Sequence, residues 1–338
     1  MTSTRAAFLD RLAASGTIGF GASTLGNLYR RIGDADARAT VDAAWNEGVR
    51  YFDTAPFYGF GLSERRLGDA LRDRPRDEYI LSTKVGRLLI PGEAEEERFG
   101  FHSPMPFNPV YDYSYDGVMR SVDASLHRLG LGRIDILYMH DLGRVTHGSD
   151  HVHYFGQALS GGFRAMHALR DQGVVSAIGL GVNETAICAE SLAHADLDLL
   201  MIAGRYTLLN PRGAVFFEEC RRRGVGVVAA GVYNSGILAT GTTGGDALHY
   251  DYEPAPDSIV RKVTAIEACC ARHGVPLPAA ALQFVRTHPA VTMAVVGTGS
   301  ARRIKESVAL ARFPIPPAFW EATRADGLLD EAPFATST

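Results

Sequence analysis

The sequence predicts an α/β fold and, within that class, a (β/α)₈ TIM barrel formed by a single domain that spans residues 1–338. Two observations support this prediction: short continuous apolar runs alternate with amphipathic stretches, and eight such pairs follow one another along the chain. Eight units of this kind close into a barrel whose chemistry lies at the carboxyl ends of the strands. A doubly wound open sheet is the alternative, but no G-x-G-x-x-G motif follows the first apolar run.

Each apolar run ends close to a glycine, a proline or a polar residue, as expected where a strand gives way to a loop. The predicted strands span residues 17–21, 50–55, 78–84, 134–140, 176–182, 197–203, 225–230 and 292–296. The stretches between them place apolar residues at helical spacing, for example at Val118, Val122, Leu126 and Leu129. The predicted helices span residues 37–47, 64–72, 115–129, 163–172, 184–193, 213–223, 258–272, 278–286 and 301–312.

Two segments interrupt this alternation, and we predict both to be irregular. Residues 87–112 contain four prolines and show no clean apolar period, and residues 141–156 follow the fourth predicted strand. The first segment is rich in phenylalanine and tyrosine, which argues against disorder. Since it begins directly after the third strand, we expect it to form a long loop over the functional face of the barrel.

The charge balance argues against a nucleic-acid or membrane partner. The 338 residues carry a formal net charge of −4, and the sequence pI is about 6.3, so no basic surface is expected to attract phosphates or anionic lipids. No apolar run is long enough to cross a bilayer, and the amino-terminal segment lacks the apolar core of a signal peptide. We expect a cytoplasmic protein that binds a small-molecule substrate and exists as a monomer or a homo-oligomer.

Four polar side chains stand at or just beyond the carboxyl ends of consecutive predicted strands. Asp53 lies near the end of the second strand, Tyr58 follows five positions later, and Lys84 and His140 end the third and fourth strands. A buried carboxylate needs a cationic partner, and an ammonium near a phenol lowers the pKa of that phenol. An imidazole can hydrogen-bond a substrate oxygen and orient it. The cluster predicts proton transfer at a substrate oxygen, with hydride chemistry supplied by a nicotinamide cofactor.

A group of histidines at His147, His151 and His153, together with Asp150, is the main candidate for a metal site. No predicted helix and no second cluster of ligands supports that reading. We therefore interpret the group as part of a polar surface loop and predict no metal.

Two longer motifs surround the polar cluster, and both resemble signature regions of the aldo-keto reductase family. GVRYFDTAPFYGFGLSERRLGDAL contains Asp53 and Tyr58, and SVDASLHRLGLGRIDILYMHD contains His140. The resemblance extends over nearly the whole chain. It implies that Tyr58 is the general acid or base, that Lys84 lowers the pKa of Tyr58 and pairs with Asp53, and that His140 positions the substrate oxygen.

The resemblance also implies that a nicotinamide cofactor lies across the carboxyl-terminal face of the barrel. Asn183 matches the asparagine that binds the carboxamide, whereas Ala203 stands where the family usually has glutamine, and Tyr233 is a candidate for the tyrosine that stacks on the nicotinamide. The cofactor-binding residues implied are Gly21, Ala22, Ser23, Asp53, Asn183, Ala203, Tyr233, Asn234, Ser235, Gly236, Leu238, Gly297, Thr298, Gly299, Arg303, Glu306 and Ser307.

The same comparison favours NAD over NADP as the cofactor. Gly297 occupies the position where a lysine often contacts the extra phosphate of NADP, and the loss of one of two cations weakens a phosphate site. Arg302 and Arg303 keep positive charge nearby, so NADP stays the less favoured alternative.

The runs DYSYDGVMRS, AGRYTLLN and NSGILATG are similar to a branch of the family that oxidises cyclic hemiacetals to lactones with NAD. Members of that branch act on pyridoxal or on sugars such as L-fucose, L-galactose and D-arabinose. The aromatic segment suits a flat ring and favours pyridoxal, although aromatic faces also stack on sugars. The predicted substrate contacts are Tyr29, Phe57, Tyr58, Tyr111, Tyr113 and His140.

Two other functions fit the resemblance. The first is reduction of aldehydes or ketones with NADPH, in which the same four residues work in the opposite direction, and Gly297 argues against it. The second is a non-catalytic subunit that senses the cofactor, and the intact group of Asp53, Tyr58, Lys84 and His140 argues against that.

Overall fold

The computed structural model describes residues 2–243, 248–251 and 253–329, and the remainder of the predicted domain 1–338 lies outside these ranges. Within them, eight parallel strands close a barrel in which each strand pairs with its neighbours in sequence, and the first pairs with the last. The predicted TIM barrel is confirmed. The barrel strands are β1 (Gly19–Gly21), β2 (Tyr51–Asp53), β3 (Ile80–Val85), β4 (Ile136–His140), β5 (Ala177–Val182), β6 (Leu199–Ala203), β7 (Gly226–Ala230) and β8 (Val291–Gly297).

The nine helices that the sequence predicts begin and end within three residues of their predicted limits, because their apolar stripes face the barrel and their ends carry clear stop residues. Gly130, for example, ends α4 in the left-handed conformation that glycine tolerates best. The principal helices are α1 (Thr2–Ala13), α2 (Asp34–Asn46), α3 (Leu62–Leu71), α4 (Tyr115–Leu129), α5 (Phe163–Asp171), α6 (Ala186–Leu192), α7 (Ala214–Arg223), α8 (Asp257–His273), α9 (Leu277–Phe284), α10 (Ala301–Ala311) and α11 (Pro317–Ala325).

The first helix, α1, was not expected, and it closes the amino-terminal end of the barrel. Phe8 and Leu12 belong to an apolar cluster with the first residues of several strands, such as Tyr51, Ile80 and Ile136. Leu12 is completely buried. The helix therefore seals the end of the barrel opposite to the polar cluster. The C-terminal helix α11 was not expected either.

Residues 87–112 are not irregular, which corrects the expectation. Arg87–Pro91 pairs with Phe107–Tyr111 in an antiparallel ladder, and Glu97–Arg98 pairs with Phe101–His102. Prolines such as Pro91 and Pro109 are compatible with these strands. Each strand of a two-stranded sheet has one unpaired edge, where a missing N–H costs little. The ladder is tied to the first loop through the hydrogen bond from Tyr29 N to Gly100 O, at 2.9 Å.

Residues 141–156 are mostly helical, which corrects a second expectation. Short turns at Arg144–His147 and His151–Gln157 continue through a π-helical turn at Ala158–Gly162 into α5. These turns are too short to show an apolar period of 3.6 residues. His147 and His151 are buried, so they do not belong to a polar surface loop. None of the helices in the described ranges is long and apolar enough to span a membrane.

Candidate active site

The ends of β2, β3 and β4 bring together the four polar side chains that the sequence singles out. Asp53 ends β2, Lys84 lies in β3 and His140 ends β4, while Tyr58 reaches the group from the loop that follows β2. The Lys84 Nζ atom lies 2.7 Å from Asp53 Oδ2 and 3.1 Å from the Tyr58 hydroxyl. The rings of Tyr58 and His140 meet edge to face, with their centroids 5.9 Å apart.

Lys84 is held in place from several sides. Its ammonium also donates to the Thr54 carbonyl at 3.0 Å, and Ser82 donates to the second carboxylate oxygen of Asp53 at 2.7 Å. The absence of a side chain at Gly181 leaves room for Lys84, since a β-carbon there would stand 3.1 Å from its Cε atom. The buried ion pair therefore has hydrogen-bond partners on both sides, which a stable buried pair requires.

Burial and charge act in opposite directions on Tyr58. Burial raises the pKa of Tyr58 above its ordinary value, while the nearby Lys84 ammonium lowers it. Lys84 thus lowers the pKa of Tyr58, as expected, but in the protein without cofactor the effect of burial is larger and the net shift is upward. Burial lowers the pKa of Lys84, yet Asp53 and Tyr58 more than offset this, so the net shift is upward and the ammonium keeps its charge.

His140 is a neutral imidazole at physiological pH. Burial first, and then the positive charges of Arg87 and Lys84, hold the pKa of His140 well below its ordinary value. The Arg87 Nη1 atom lies 3.1 Å from His140 Nδ1. His140 can therefore donate a hydrogen bond through its one N–H group. It is not an imidazolium in the neutral range, so it cannot act as a general acid.

Two glycines determine where the backbone of Tyr58 runs. Gly59 has a φ of +62°, and a β-carbon on it would lie 2.4 Å from the Gly26 carbonyl oxygen. A β-carbon on Gly26 would in turn lie 2.5 Å from the Tyr58 carbonyl carbon. The loop that carries Tyr58 therefore rests directly on the turn that follows β1.

A cleft of about 910 Å³ starts at Lys84 and Tyr58 and runs along the strand ends to the amino terminus of α10. Most of the expected cofactor residues line it. These are Gly21, Ser23, Asp53, Asn183, Ala203, Tyr233, Asn234, Ser235, Gly236, Gly297, Thr298, Gly299 and Arg303.

The lining suits a dinucleotide. Thr24 and Asn234 both line the cleft, and each has a buried side-chain oxygen for which the described residues supply no hydrogen-bond partner. Ser300 caps α10 beside the glycine-containing turn, and a helix amino terminus attracts phosphate. The residues present therefore fit a nicotinamide cofactor.

Four expected cofactor residues do not line the cleft. Ala22 and Leu238 are completely buried in the apolar core, so we correct the expectation for both side chains. Ser307 is buried and donates to the Arg303 carbonyl at 2.9 Å. Glu306 is on the surface, paired with Arg302 at 2.5 Å.

The substrate end of the cleft is aromatic. Tyr29, Phe57, Tyr58 and His140 line it as expected, and Phe99 and Phe101 join them from the antiparallel segment. Phe57 stands 5.7 Å from Phe99 and 5.5 Å from Phe101, measured between ring centroids, which is a contact distance for aromatic pairs.

Tyr111 and Tyr113 stand behind this wall, which corrects the expectation that they contact the substrate. Tyr113 is completely buried, and its hydroxyl donates to the His140 carbonyl at 2.7 Å. The Tyr111 hydroxyl accepts from Arg87 at 3.3 Å. Both residues support the site from behind, and their rings stack on each other with centroids 6.2 Å apart.

Sequence reasoning missed Arg87 and Asp141. Arg87 directly follows Gly86, in an otherwise apolar run at the end of β3, and a lone arginine there is a usable signal. It forms a salt bridge with Asp141 at 2.7 Å. Asp141 lines the cleft, next to His140.

The histidines considered for a metal site serve other contacts. His147 Nε2 lies 2.9 Å from the Tyr113 hydroxyl, and His153 contacts Gln157. In the described ranges, no group of three or more His, Cys, Asp or Glu side chains could hold a metal ion.

The barrel and the cleft fit a nicotinamide-dependent oxidoreductase, and comparison with known proteins names the family. The chain belongs to the Aldo/keto reductase family, whose pattern matches residues 17–325. It is therefore an oxidoreductase acting on CH–OH groups with a nicotinamide cofactor.

The chain is similar to pyridoxal 4-dehydrogenase from Microbacterium luteolum. The two are 43% identical over 324 residues, which cover 92% of this chain and 94% of the relative. D-threo-aldose 1-dehydrogenase from a Pseudomonas species is 40% identical, over 95% of this chain and 96% of the relative. An aldo-keto reductase from Bacillus halodurans has the same fold, with a TM-score of 0.71 at 22% identity over 95% of this chain and 94% of that one.

Proposed function

We propose that this protein oxidises a cyclic hemiacetal to a lactone with NAD, and that its favoured substrate is pyridoxal, which would yield 4-pyridoxolactone. The aromatic wall beside Tyr58 and His140 carries the proposal. The relative from Microbacterium luteolum, named pyridoxal 4-dehydrogenase, supports it at 43% identity.

The four polar residues have complementary roles in this reaction. The Tyr58 phenolate accepts the proton of the hemiacetal hydroxyl, while His140 donates a hydrogen bond to the same oxygen. Lys84 favours the phenolate, and Asp53 holds Lys84. The bound nicotinamide supplies the acceptor for the hydride that leaves the hemiacetal carbon. One C–H and one O–H bond are lost, and the C–O bond becomes a carbonyl.

The aromatic wall provides the surface for a pyridine ring. Phe57, Phe99 and Phe101 surround the space next to Tyr58, and Phe99 is 65% exposed, so its ring is available to a ligand. Offset or edge-to-face contacts with a flat ring add about 0.5–1.5 kcal/mol beyond burial for each pair.

A sugar is the second candidate substrate. The Pseudomonas relative, at 40% identity, is named D-threo-aldose 1-dehydrogenase, and the cleft also contains the carboxylate of Asp141, which can accept from sugar hydroxyls. L-fucose, L-galactose and D-arabinose are the sugars to compare.

NAD is the proposed cofactor. Gly297 offers no charge at the end of β8, and of the two arginines in the first turn of α10, Arg302 is engaged with Glu306 while Arg303 lines the cleft. One exposed guanidinium gives weak selection for an additional phosphate.

The test is a spectrophotometric assay of cofactor reduction at mildly alkaline pH, with pyridoxal and each of the three sugars, and with NAD and NADP. Turnover of pyridoxal with NAD is the expected result. Turnover of the sugars alone would show that the substrate is a sugar and would leave the proposed mechanism unchanged. Reduction of simple aldehydes with NADPH, without any oxidation, would contradict the proposal.

Tyr58→Phe separates catalysis from cofactor sensing. Removal of the hydroxyl should abolish oxidation and leave the affinity for NAD nearly unchanged, measured by titration calorimetry. Full activity in this variant would show that Tyr58 does not transfer the proton.

A further inference from the structure

A buried arginine, Arg87, lies directly behind His140. Its side chain is 5% exposed. Nη1 lies 3.1 Å from His140 Nδ1, and Nη2 donates to Asp141 Oδ2 at 2.7 Å and to the Tyr111 hydroxyl at 3.3 Å. A buried guanidinium needs hydrogen-bond partners to replace its lost hydration, and here His140 is one of those partners.

The contact between Arg87 and His140 determines which imidazole nitrogen carries the proton. A guanidinium is always protonated and has no acceptor atom. The Nδ1 atom that faces Arg87 must therefore accept, and in a neutral ring the proton then resides on Nε2. Asp141 Oδ2 lies 3.5 Å from Nε2, and both residues line the cleft.

Arg87 is itself held rigidly. Its guanidinium lies over the ring of Phe57, 4.0 Å from the centroid, and 5.1 Å from the centroid of Tyr111. Phe57 precedes Tyr58 in the same loop, so Arg87 connects the aromatic wall with the imidazole. Cation–π contacts of this kind are strongest when the charge is desolvated.

We propose that Arg87 is a positioning residue that holds His140 in the tautomer with its proton on Nε2. In this arrangement His140 can only donate a hydrogen bond to the substrate oxygen, and the transfer of the proton is left to Tyr58. The identity of that oxygen rests on the proposed function, whereas the tautomer does not.

Several charged or titratable groups face His140. Arg87 and Lys84 bring positive charge, Asp141 brings negative charge, and the phenols of Tyr58 and Tyr113 stand near the ring and its carbonyl, with His147 behind Tyr113. Burial and the two cations together lower the pKa of His140. Without Arg87, one of those cations is lost, and the pKa moves back toward its ordinary value.

The direct test is the state of the imidazole in cofactor-free protein, measured by long-range ¹H–¹⁵N correlation spectra and assigned with His140→Gln. The wild type should show a single neutral tautomer, protonated on Nε2, throughout the neutral pH range, because the pKa of His140 is held well below its ordinary value. Arg87→Met should show both tautomers and a pKa for His140 that moves up toward its ordinary value but stays below it, because burial and Lys84 remain. Arg87→Lys, which keeps a cationic donor, should restore part of the wild-type pattern.

Two further variants separate the histidine contact from the ion pair. Asp141→Asn removes the carboxylate that pairs with Arg87 but leaves the Arg87 guanidinium to donate to His140 Nδ1, so His140 should stay in the Nε2 tautomer. Should Arg87→Met not fold because Asp141 is left unpaired, the double variant Arg87→Met/Asp141→Asn removes both charges and should show the same two tautomers.

Activity gives the second readout. Arg87→Met should lower kcat by roughly 10- to 100-fold, leave the Kd for NAD unchanged and add an acidic limb to the pH profile. An unchanged Nε2 tautomer in Arg87→Met would overturn the inference. Since the spectra need no substrate, failure to oxidise hemiacetals would contradict the proposed function alone.

Discussion

Lys84 is the single side chain on which the basicity of Tyr58 depends most. Oxidation needs the phenolate, so its rate should rise with pH until Tyr58 has lost its proton. Burial raises the pKa of Tyr58, and Lys84 provides the main opposing effect. The pH at which the oxidation rate levels off therefore reports the balance between the two.

For Lys84→Met we expect a fall in kcat of about 10²–10⁴ and a shift of the alkaline limb to higher pH. The reason is that the variant loses the charge that lowers the pKa of Tyr58. Lys262→Met, which removes a lysine remote from the cleft, is the control. The measurement is kcat as a function of pH, and an unmoved limb would show that the pair is only structural.

Phe99 tests the choice of substrate at the same scale. It is 65% exposed at the mouth of the cleft and contacts Phe57. Phe99→Ala should raise the KM for pyridoxal roughly fivefold, since an aromatic pair is worth about 1 kcal/mol. Val215→Ala, on the exposed face of α7, is the control. Equal KM values in Phe99→Ala and the wild type would show that Phe99 does not bind the pyridine ring.

At the scale of elements, the contact between two loops positions the catalytic phenol. The turn after β1 and the loop after β2 approach so closely at Gly26 and Gly59 that a single β-carbon would collide with backbone. Backbone cannot rotate away as a side chain can, so a larger residue must displace the whole loop. Tyr58 moves with it.

Gly26→Ala should therefore reduce kcat about 100-fold and lower the free energy of unfolding by about 1–3 kcal/mol. Gly132→Ala is a matched control, because a β-carbon there meets nothing within 4 Å. Enzyme kinetics and urea denaturation measure the two effects. A fully active Gly26→Ala would mean that the loops can separate without moving Tyr58.

At the scale of the whole molecule, the two ends of the barrel have different tasks. The carboxyl ends of the strands carry the cleft, and the amino-terminal end is closed by α1 through Phe8 and Leu12. Side chains at the closed end contribute apolar burial and no chemistry. Stability and activity should therefore respond separately to substitutions at the two ends.

Leu12→Ala tests this separation. It should lower the free energy of unfolding by about 2–5 kcal/mol, because it leaves a cavity at a completely buried position. The Kd for NAD should not change. Asp10→Ala, on the exposed side of α1, is the control. Chemical denaturation and titration calorimetry provide the measurements. A higher Kd for NAD in Leu12→Ala would show that the two ends of the barrel are coupled.

The sequence by itself determined the barrel, the approximate limits of its eight strands and of nine helices, and the group formed by Asp53, Tyr58, Lys84 and His140. These follow from local periodicity and from the rule that parallel strands end on one face of a barrel. Most of the cofactor lining could be named in the same way, because it also lies at strand ends and at the start of α10.

Only the tertiary structure decided the remaining features. The pairing of residues 87–112, the burial of Tyr113, the closure of the barrel by α1 and the contact of Arg87 with His140 all join residues far apart in the chain. Such contacts depend on which side chains face one another after folding. Local periodicity carries no information about that, so the sequence can mark Arg87 as a lone arginine in an apolar run but cannot pair it with His140.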